Sequence, residues 1–303
     1  MANKRFIPKT SVVLFLLAVF TVVALTAYNP QPDPIEAQLV KHRPDSANLH
    51  SLIGYWILPN AEKTQKTLPL ETLYEYEYEI EEAVREPFAV PIFMYHTSSE
   101  HNPGGIPELY VRPSVFERQM LHLIENGFTF VTFDDWDNLH NIERPVFITF
   151  DDGYRANYTE IFPILKRHNI RITIFLTLVN VRPGYLTPDM IRRMSDSGLV
   201  KFESHTLSHR NLASISSDEQ KLIRELRDSR YRIEELTGKP VVAIAYPYGR
   251  FNDRVLEVVP EFYRFGISTL PGKHIVGEHC DFAIRRLRVS RSTSLNAFIN
   301  MLG

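Results

Sequence analysis

Pro145-Val146-Phe147-Ile148-Thr149-Phe150-Asp151-Asp152-Gly153-Tyr154 reads as an apolar strand that ends in two adjacent carboxylates and a turn glycine. Working outward, the same alternation recurs on both sides. Pro91–Tyr95 is a short apolar strand, and residues 113–126 place Phe116, Met120, Leu123 and Ile124 at helical spacing before Gly127. Thr129–Thr132 is a strand, residues 161–168 are a helix with Pro163 near its start, and Arg171–Thr177 is a β-branched strand. A helix around Asp189–Ser195 precedes the strand Val200–Ser204. Ser216 with Glu219 three residues on reads as a capping box opening a helix to Thr237, stopped by Gly238 and Pro240. Strands over Val241–Tyr246, Arg264–Thr269 and Ile284–Val289 come next, with helices near 253–259 and from about Ser294. Strands alternating with helices imply an α/β fold with a parallel sheet covered by helices, either an open doubly wound sheet or a closed barrel. In such folds chemistry collects on the loops after strand C-termini, where Asp151, His205 and Tyr248 all fall.

The second informative stretch is Ser204-His205-Thr206-Leu207-Ser208-His209, two imidazoles four residues apart at a strand end. One carboxylate with two histidines makes a metal site with open coordination positions. The i, i+4 spacing would set both rings on one side of a helical turn. The leftover carboxylate of the Asp151-Asp152 pair then stands where a general base is needed, which suits hydrolysis by water activated at a divalent ion. Each stretch alone is a common sequence; the two in this order are far more specific. A third stretch, Tyr246-Pro247-Tyr248-Gly249 with Phe251-Asn252 behind it, reads by itself as a proline turn packed with aromatics.

With these three stretches the chain resembles the polysaccharide deacetylases, the NodB-homology family (carbohydrate esterase family four), over roughly residues 89 to 298, about two-thirds of its length. The resemblance implies a distorted (β/α) barrel of about seven strands. It also implies that Asp152, His205 and His209 hold a divalent metal, with Zn2+ favoured, that Asp151 is the base, and that the Tyr248 backbone N–H stabilises the oxyanion. The start Phe93-Met94-Tyr95-His96 looks like the branch that de-N-acetylates exopolysaccharides such as poly-N-acetylglucosamine, where the early histidine is the general acid. His96 is therefore preferred to His279, which does not stand in the Leu-x-His motif of other family members. The family's third motif opens on an arginine that orients the base, but here that stretch is Val242-Ala243-Ile244-Ala245. Arg286 is read as a surface residue, with a role beside Asp151 as the alternative. The expected activity is N-deacetylation of amino sugars in an extracytoplasmic polysaccharide, whether poly-N-acetylglucosamine-like, peptidoglycan or chitin-like. The alternatives are an O-acetyl esterase and a non-catalytic carbohydrate-binding module.

The chain has 303 residues, is 44% hydrophobic and 23% charged, and carries a formal net charge of -2, so no basic field would attract nucleic acid. Cys280 is its single cysteine, so an intramolecular disulfide is impossible. Lys4, Arg5 and Lys9 precede an uncharged apolar run from Ser11 to Tyr28, about 18 residues long. Residues 1–28 are expected to be an uncleaved membrane anchor rather than a cleaved signal, placing residues 29–303 outside the cytoplasm. Residues 29–88 begin as a proline-rich linker and continue as a packing element of uncertain role, including the alternating Tyr74-Glu75-Tyr76-Glu77-Tyr78-Glu79. The catalytic domain is expected over residues 89–303.

Overall fold

The computed structural model describes residues 86–101, 105–178 and 183–303. The expected anchor and linker, including the Tyr-Glu repeat, lie outside the described residues. Among the described residues no helix is long and apolar enough to cross a membrane.

The strands are β1 (Phe88–Val90), β2 (Ile92–Tyr95), β3 (Thr97–Ser98), β4 (Tyr110–Val111), β5 (Thr129–Val131), β6 (Pro145–Asp152), β7 (Ile172–Leu176), β8 (Val200–Ser204), β9 (Ala243–Ala245), β10 (Phe265–Pro271), β11 (His274–Val276) and β12 (Ile284–Arg288). The helices are α1 (Pro113–Glu125), α2 (Phe162–His168), α3 (Pro188–Asp196), α4 (Leu212–Ile215), α5 (Glu219–Thr237), α6 (Asp253–Val258) and α7 (Leu295–Asn300). Parallel pairing runs β2-β12-β10-β9-β8-β7-β6, and β6 pairs back onto β2, so seven strands close a barrel. Of the two architectures the alternation allowed, the closed one is realised. β6 is long enough to serve three neighbours. Its Phe147 pairs with both Ile92 and Val131, and its Thr149 with both Met94 and Thr173. β5 therefore sits on the same side of β6 as β7, at the N-terminal half of the strand.

Strand parity divides the core in two. Phe93, Tyr95, Ile148, Phe150, Ile174, Phe202 and Ile244 pack with helix residues such as Phe116, Leu165, Met194, Leu226 and Phe298. The opposite parity, Ile92, Phe147, Phe175, Ala243, Ala245, Phe265, Ile267 and Ile284, packs among itself and with Phe133 and Trp136. The second set is the barrel lumen, since it contains no residue of the outer helices. Phe133 lies 5.0 Å from Phe147, 5.9 Å from Phe175 and 5.6 Å from Phe265, ring to ring, so it plugs the space between three strands. Phe133 and Trp136 come from the 3-10 helix Phe133–Asn141 after β5. Along β6 by steps of two, the lumen passes from Phe147 to Thr149 to Asp151: apolar at the N-terminal ends of the strands, polar at the C-terminal ends.

One helix start differs from expectation. Ser216 does not open the long helix: it terminates α4, and its hydroxyl donates to Ala213 O at 3.0 Å. The cap is Asp218, whose Oδ1 accepts the Lys221 N–H at 3.0 Å. A short extra helix uses up Ser216, and Asp218, two residues on, takes the cap. β9 is also shorter than the stretch Val241–Tyr246 suggests.

Candidate active site

At the end of β6 the two carboxylates part. Asp151 keeps the lumen parity and is buried. Asp152 has a left-handed backbone (φ 74), which turns its side chain out of the strand alternation. Gly153 comes next at φ 77, and a Cβ there would lie 2.7 Å from Leu176 Cδ2, so only glycine completes the turn.

Arg286 meets Asp151 in a bidentate pair, Nη1 to Oδ1 at 2.7 Å and Nη2 to Oδ2 at 2.8 Å. Both side chains are buried. The guanidinium also donates from Nε to Ser268 O at 2.9 Å and from Nη1 to Thr149 Oγ1 at 3.2 Å. Ser268 O lies where β10 and β12 fall out of register, between the pairs Ile267–Ile284 and Pro271–Arg286. The reading of Arg286 as a surface residue is thus overturned. Two steps along β12 from the lumen residue Ile284, it must face inward.

Burial pushes the Asp151 carboxyl up, but the Arg286 charge, with His205 and His96 behind it, outweighs this and holds it well below the usual carboxylate range. Asp152 is also lowered: burial raises it, and its contacts with His209, His205 and His96 more than compensate.

Asp152, His205 and His209 bring one ligand atom each within 4.8 Å of one another. Asp152 Oδ1 lies 3.5 Å from His205 Nε2 and 3.2 Å from His209 Nε2. His205 Nδ1 lies 2.7 Å from Ala245 O; donation to that carbonyl leaves Nε2 with its lone pair facing the carboxylate. This donor set fits a divalent cation. The rings do not converge by helical geometry, as the i, i+4 spacing suggested. Residues 205–209 form an irregular loop in which Thr206 (φ 68) and His209 (φ 56) are both left-handed, and these two reversals fold His209 back against His205, ring centroids 4.9 Å apart. Burial lowers the His205 pKa more than the nearby Asp151 and Asp152 raise it.

Tyr248 is also left-handed (φ 61), in the 3-10 turn Pro247–Gly249 after β9. Its side chain is 65% exposed, with the ring edge-on to His209 at 4.8 Å. A Cβ on Gly249 would fall 2.0 Å from Thr269 Oγ1, so the turn closes only with glycine there. His96 extends from the C-terminal end of β2 and is partly exposed. Burial lowers its pKa, opposed by the charges of Asp151 and Asp152 and reinforced by those of Arg286 and Arg288. It shares the electrostatic field of the site. The His279 Nδ1 accepts the Ile275 N–H at 2.9 Å, and its ring packs on that of His274, which in turn lies 5.6 Å from Trp136.

Sequence reasoning missed Tyr154. Its ring stacks on Tyr185 at 4.9 Å, and the two residues form an antiparallel bridge. Burial raises its pKa, and the charge of Asp152 adds to this. No local pattern links Tyr154 to Tyr185; the bridge that joins the loops after β6 and β7 does.

Comparisons with known proteins concern the chain as a whole. The profile of the family described as Polysaccharide deacetylase matches residues 139–262. Over 220 residues the chain is 30% identical to a putative polysaccharide deacetylase of Bacillus subtilis (strain 168), covering 70% of this chain and 76% of that protein. It is 29% identical over 215 residues to a poly-beta-1,6-N-acetyl-D-glucosamine N-deacetylase of Staphylococcus aureus (strain MRSA252), covering 65% of this chain and 73% of that protein. Among solved structures, a polysaccharide deacetylase from Bacillus cereus aligns with a TM-score of 0.67 at 34% identity, over 72% of this chain and 70% of that one.

The titrating groups predict how the metal-free protein responds to acid. His96 and His205 have lowered folded pKa values, so below about 6.5 the unfolded chain takes up protons first and their contribution to stability is lost as pH falls. Asp151 and Asp152 are depressed as well. Their contribution, complete above about pH 4, is lost as pH falls through the lower folded values. All four act in one direction. The melting temperature measured in excess chelator should fall from about pH 7 to pH 5, and His205→Gln should flatten that slope. A flat or rising profile in the parent protein would contradict histidines held neutral by burial.

Proposed function

This chain belongs to the polysaccharide deacetylase family, and from that premise we propose that it hydrolyses the acetamide of N-acetylated amino sugars in an extracytoplasmic polysaccharide. The observation that carries this reading is the juxtaposition of two differently treated carboxylates. Asp151 is held ionised by a buried arginine, and beside it Asp152 faces two histidines. One binds and the other is left to take a proton.

Asp152, His205 and His209 are the residues that would hold the ion, with zinc proposed on the affinity order of such ligands and iron, cobalt or nickel as substitutes. A divalent ion there supplies a Lewis acid that acidifies water and polarises the acyl oxygen. Asp151 accepts the proton of the attacking water. Its depressed pKa makes it a weak base but keeps it ionised, and Arg286 fixes both of its oxygens in direction. The Tyr248 main-chain N–H is assigned to the oxyanion, on a turn whose left-handed backbone is already set before substrate arrives. His96 is assigned to protonate the departing amine, from the strand end that shares the field of Asp151. Acetate and a free amino sugar leave. The substrate put forward first is poly-N-acetylglucosamine, on the Staphylococcus aureus relative and the Met94-Tyr95-His96 start, ahead of peptidoglycan and chitin-like polymers.

The deciding experiment measures acetate released from N- and O-acetylated glycans, with and without chelator. Release from an N-acetylglucosamine polymer that stops on chelation and returns with zinc is expected. Release from O-acetylated glycans alone would make the protein an esterase. Among variants, Asp151→Asn should retain one bound ion per chain and lose turnover, whereas Asp152→Asn should lose both; the reverse pattern of metal content would exchange the two roles. His96→Ala should slow amide turnover by about 10²–10⁴-fold with metal content unchanged, and should slow an activated ester, whose leaving group needs no proton, far less. Equal losses on amide and ester would remove His96 from the acid role.

A further inference from the structure

The loop that carries His209 has a hydrogen-bonding problem. Between β8 and α4 the residues 206–209 belong to neither a ladder nor a helix, so each N–H must find an acceptor individually. The Thr206 N–H donates to Ser204 Oγ at 3.1 Å, and the His209 N–H to Thr206 Oγ1 at 3.0 Å. The two between them both go to one residue. The Leu207 N–H donates to the Glu225 carbonyl at 3.3 Å, and the Ser208 N–H to Glu225 Oε2 at 2.9 Å. The Ser208 hydroxyl donates to Glu225 Oε1 as well.

Glu225 lies on α5 and is 5% exposed, on a buried face whose other residues are Leu222, Leu226, Ser229 and Ile233. A glutamate so buried needs its acceptors used. Its height against the sheet is set one turn further on. The Ser229 hydroxyl lies 2.7 Å from Glu225 O, accepts from Ser204 Oγ at 2.9 Å and meets Tyr263 Oη at 2.9 Å. The helix is thereby pinned to the strand end from which His205 emerges. Left-handed Thr206 and His209 are strained, so the loop keeps its shape only while such contacts hold it.

We propose that Glu225 is a positioning residue for the metal site: by gripping Leu207 and Ser208 it sets where His209 stands, and so sets the affinity of Asp152, His205 and His209 for a divalent ion. The proposal rests on reading those three residues as ligands, not on the reaction they serve.

The test is the zinc dissociation constant of the full chain, by competition with a chelating indicator, alongside the melting temperature of the metal-free protein. Glu225→Ala should bind zinc about 10–100-fold more weakly, as loss of a group that orients a ligand does. Glu225→Gln keeps an oxygen for the Ser208 N–H and should regain most of that affinity. A role confined to folding would lower the metal-free melting temperature and leave the zinc constant within about twofold of the parent, which would overturn the proposal. Should Glu225→Ala fail to fold, Glu225→Asp, whose carboxylate is one methylene further from Ser208, decides: weakening by about tenfold or more supports the grip, and unchanged affinity overturns it. Because the readout is binding, this failure is separate from that of the deacetylase reading, which would show as a parent protein that binds zinc and releases no acetate.

Discussion

A charged pair closes the barrel at its working end. An arginine or an aspartate alone in that lumen would cost several kcal/mol in lost hydration. Asp151 and Arg286 are stable there because each satisfies the other in two hydrogen bonds and two further guanidinium donors reach Ser268 O and Thr149 Oγ1. The Thr149 hydroxyl passes the connection on to Phe93 O at 2.8 Å, so one network ties β12, β10, β6 and β2 around the ring. Much of the architecture is a consequence of housing this pair. Strand parity must deliver residues 151 and 286 inward, β10 must slip its register to expose an acceptor, and the lumen below must be packed with Phe133, Phe147 and Phe175 to keep water from beneath it. The same pairing is what leaves Asp151 ionised in a place where burial alone would protonate it.

Backbone strain is concentrated at this end of the molecule. Outside glycine, the left-handed residues among those described are Arg144, Asp152, Asn169, Thr206, His209 and Tyr248, and four of these belong to the site. Asn169 is an ordinary helix terminus, in the conformation asparagine tolerates there. Of the four at the site, Asp152 and His209 are of types that tolerate positive φ and Thr206 and Tyr248 are not, and each aims a side chain or an N–H that a regular strand or helix would direct elsewhere. The barrel supplies the stability that offsets them, and the loops are stitched down where the strain lies, by Glu225 under Ser208 and by the Tyr154–Tyr185 bridge beside Asp152.

Read as a string, the chain discloses the parts that are local. The apolar run Pro145–Phe150, the spacing of Phe116, Met120 and Leu123, and the alternation of such segments determined a helix-covered parallel sheet, because burial periodicity is written residue by residue. Asp151-Asp152 and His205…His209 pointed to a donor set suited to a divalent ion and a spare carboxylate, because carboxylate and imidazole groups at strand ends are ready metal ligands. What periodicity could not decide was anything that depends on which strands become neighbours. Closure of the sheet is a pairing of β6 with β2 that no residue announces; the seven-stranded barrel was expected from the family resemblance and not from the alternation. Arg286 lies 135 positions from Asp151 and sits in an alternating strand whose two faces look alike until the barrel closes and makes one of them the lumen. The histidine loop was misjudged for the same reason. A spacing of four suggests a helical turn, but acceptors for the Leu207 and Ser208 N–H groups lie on a separate helix, and only the folded chain brings Glu225 beneath Ser208.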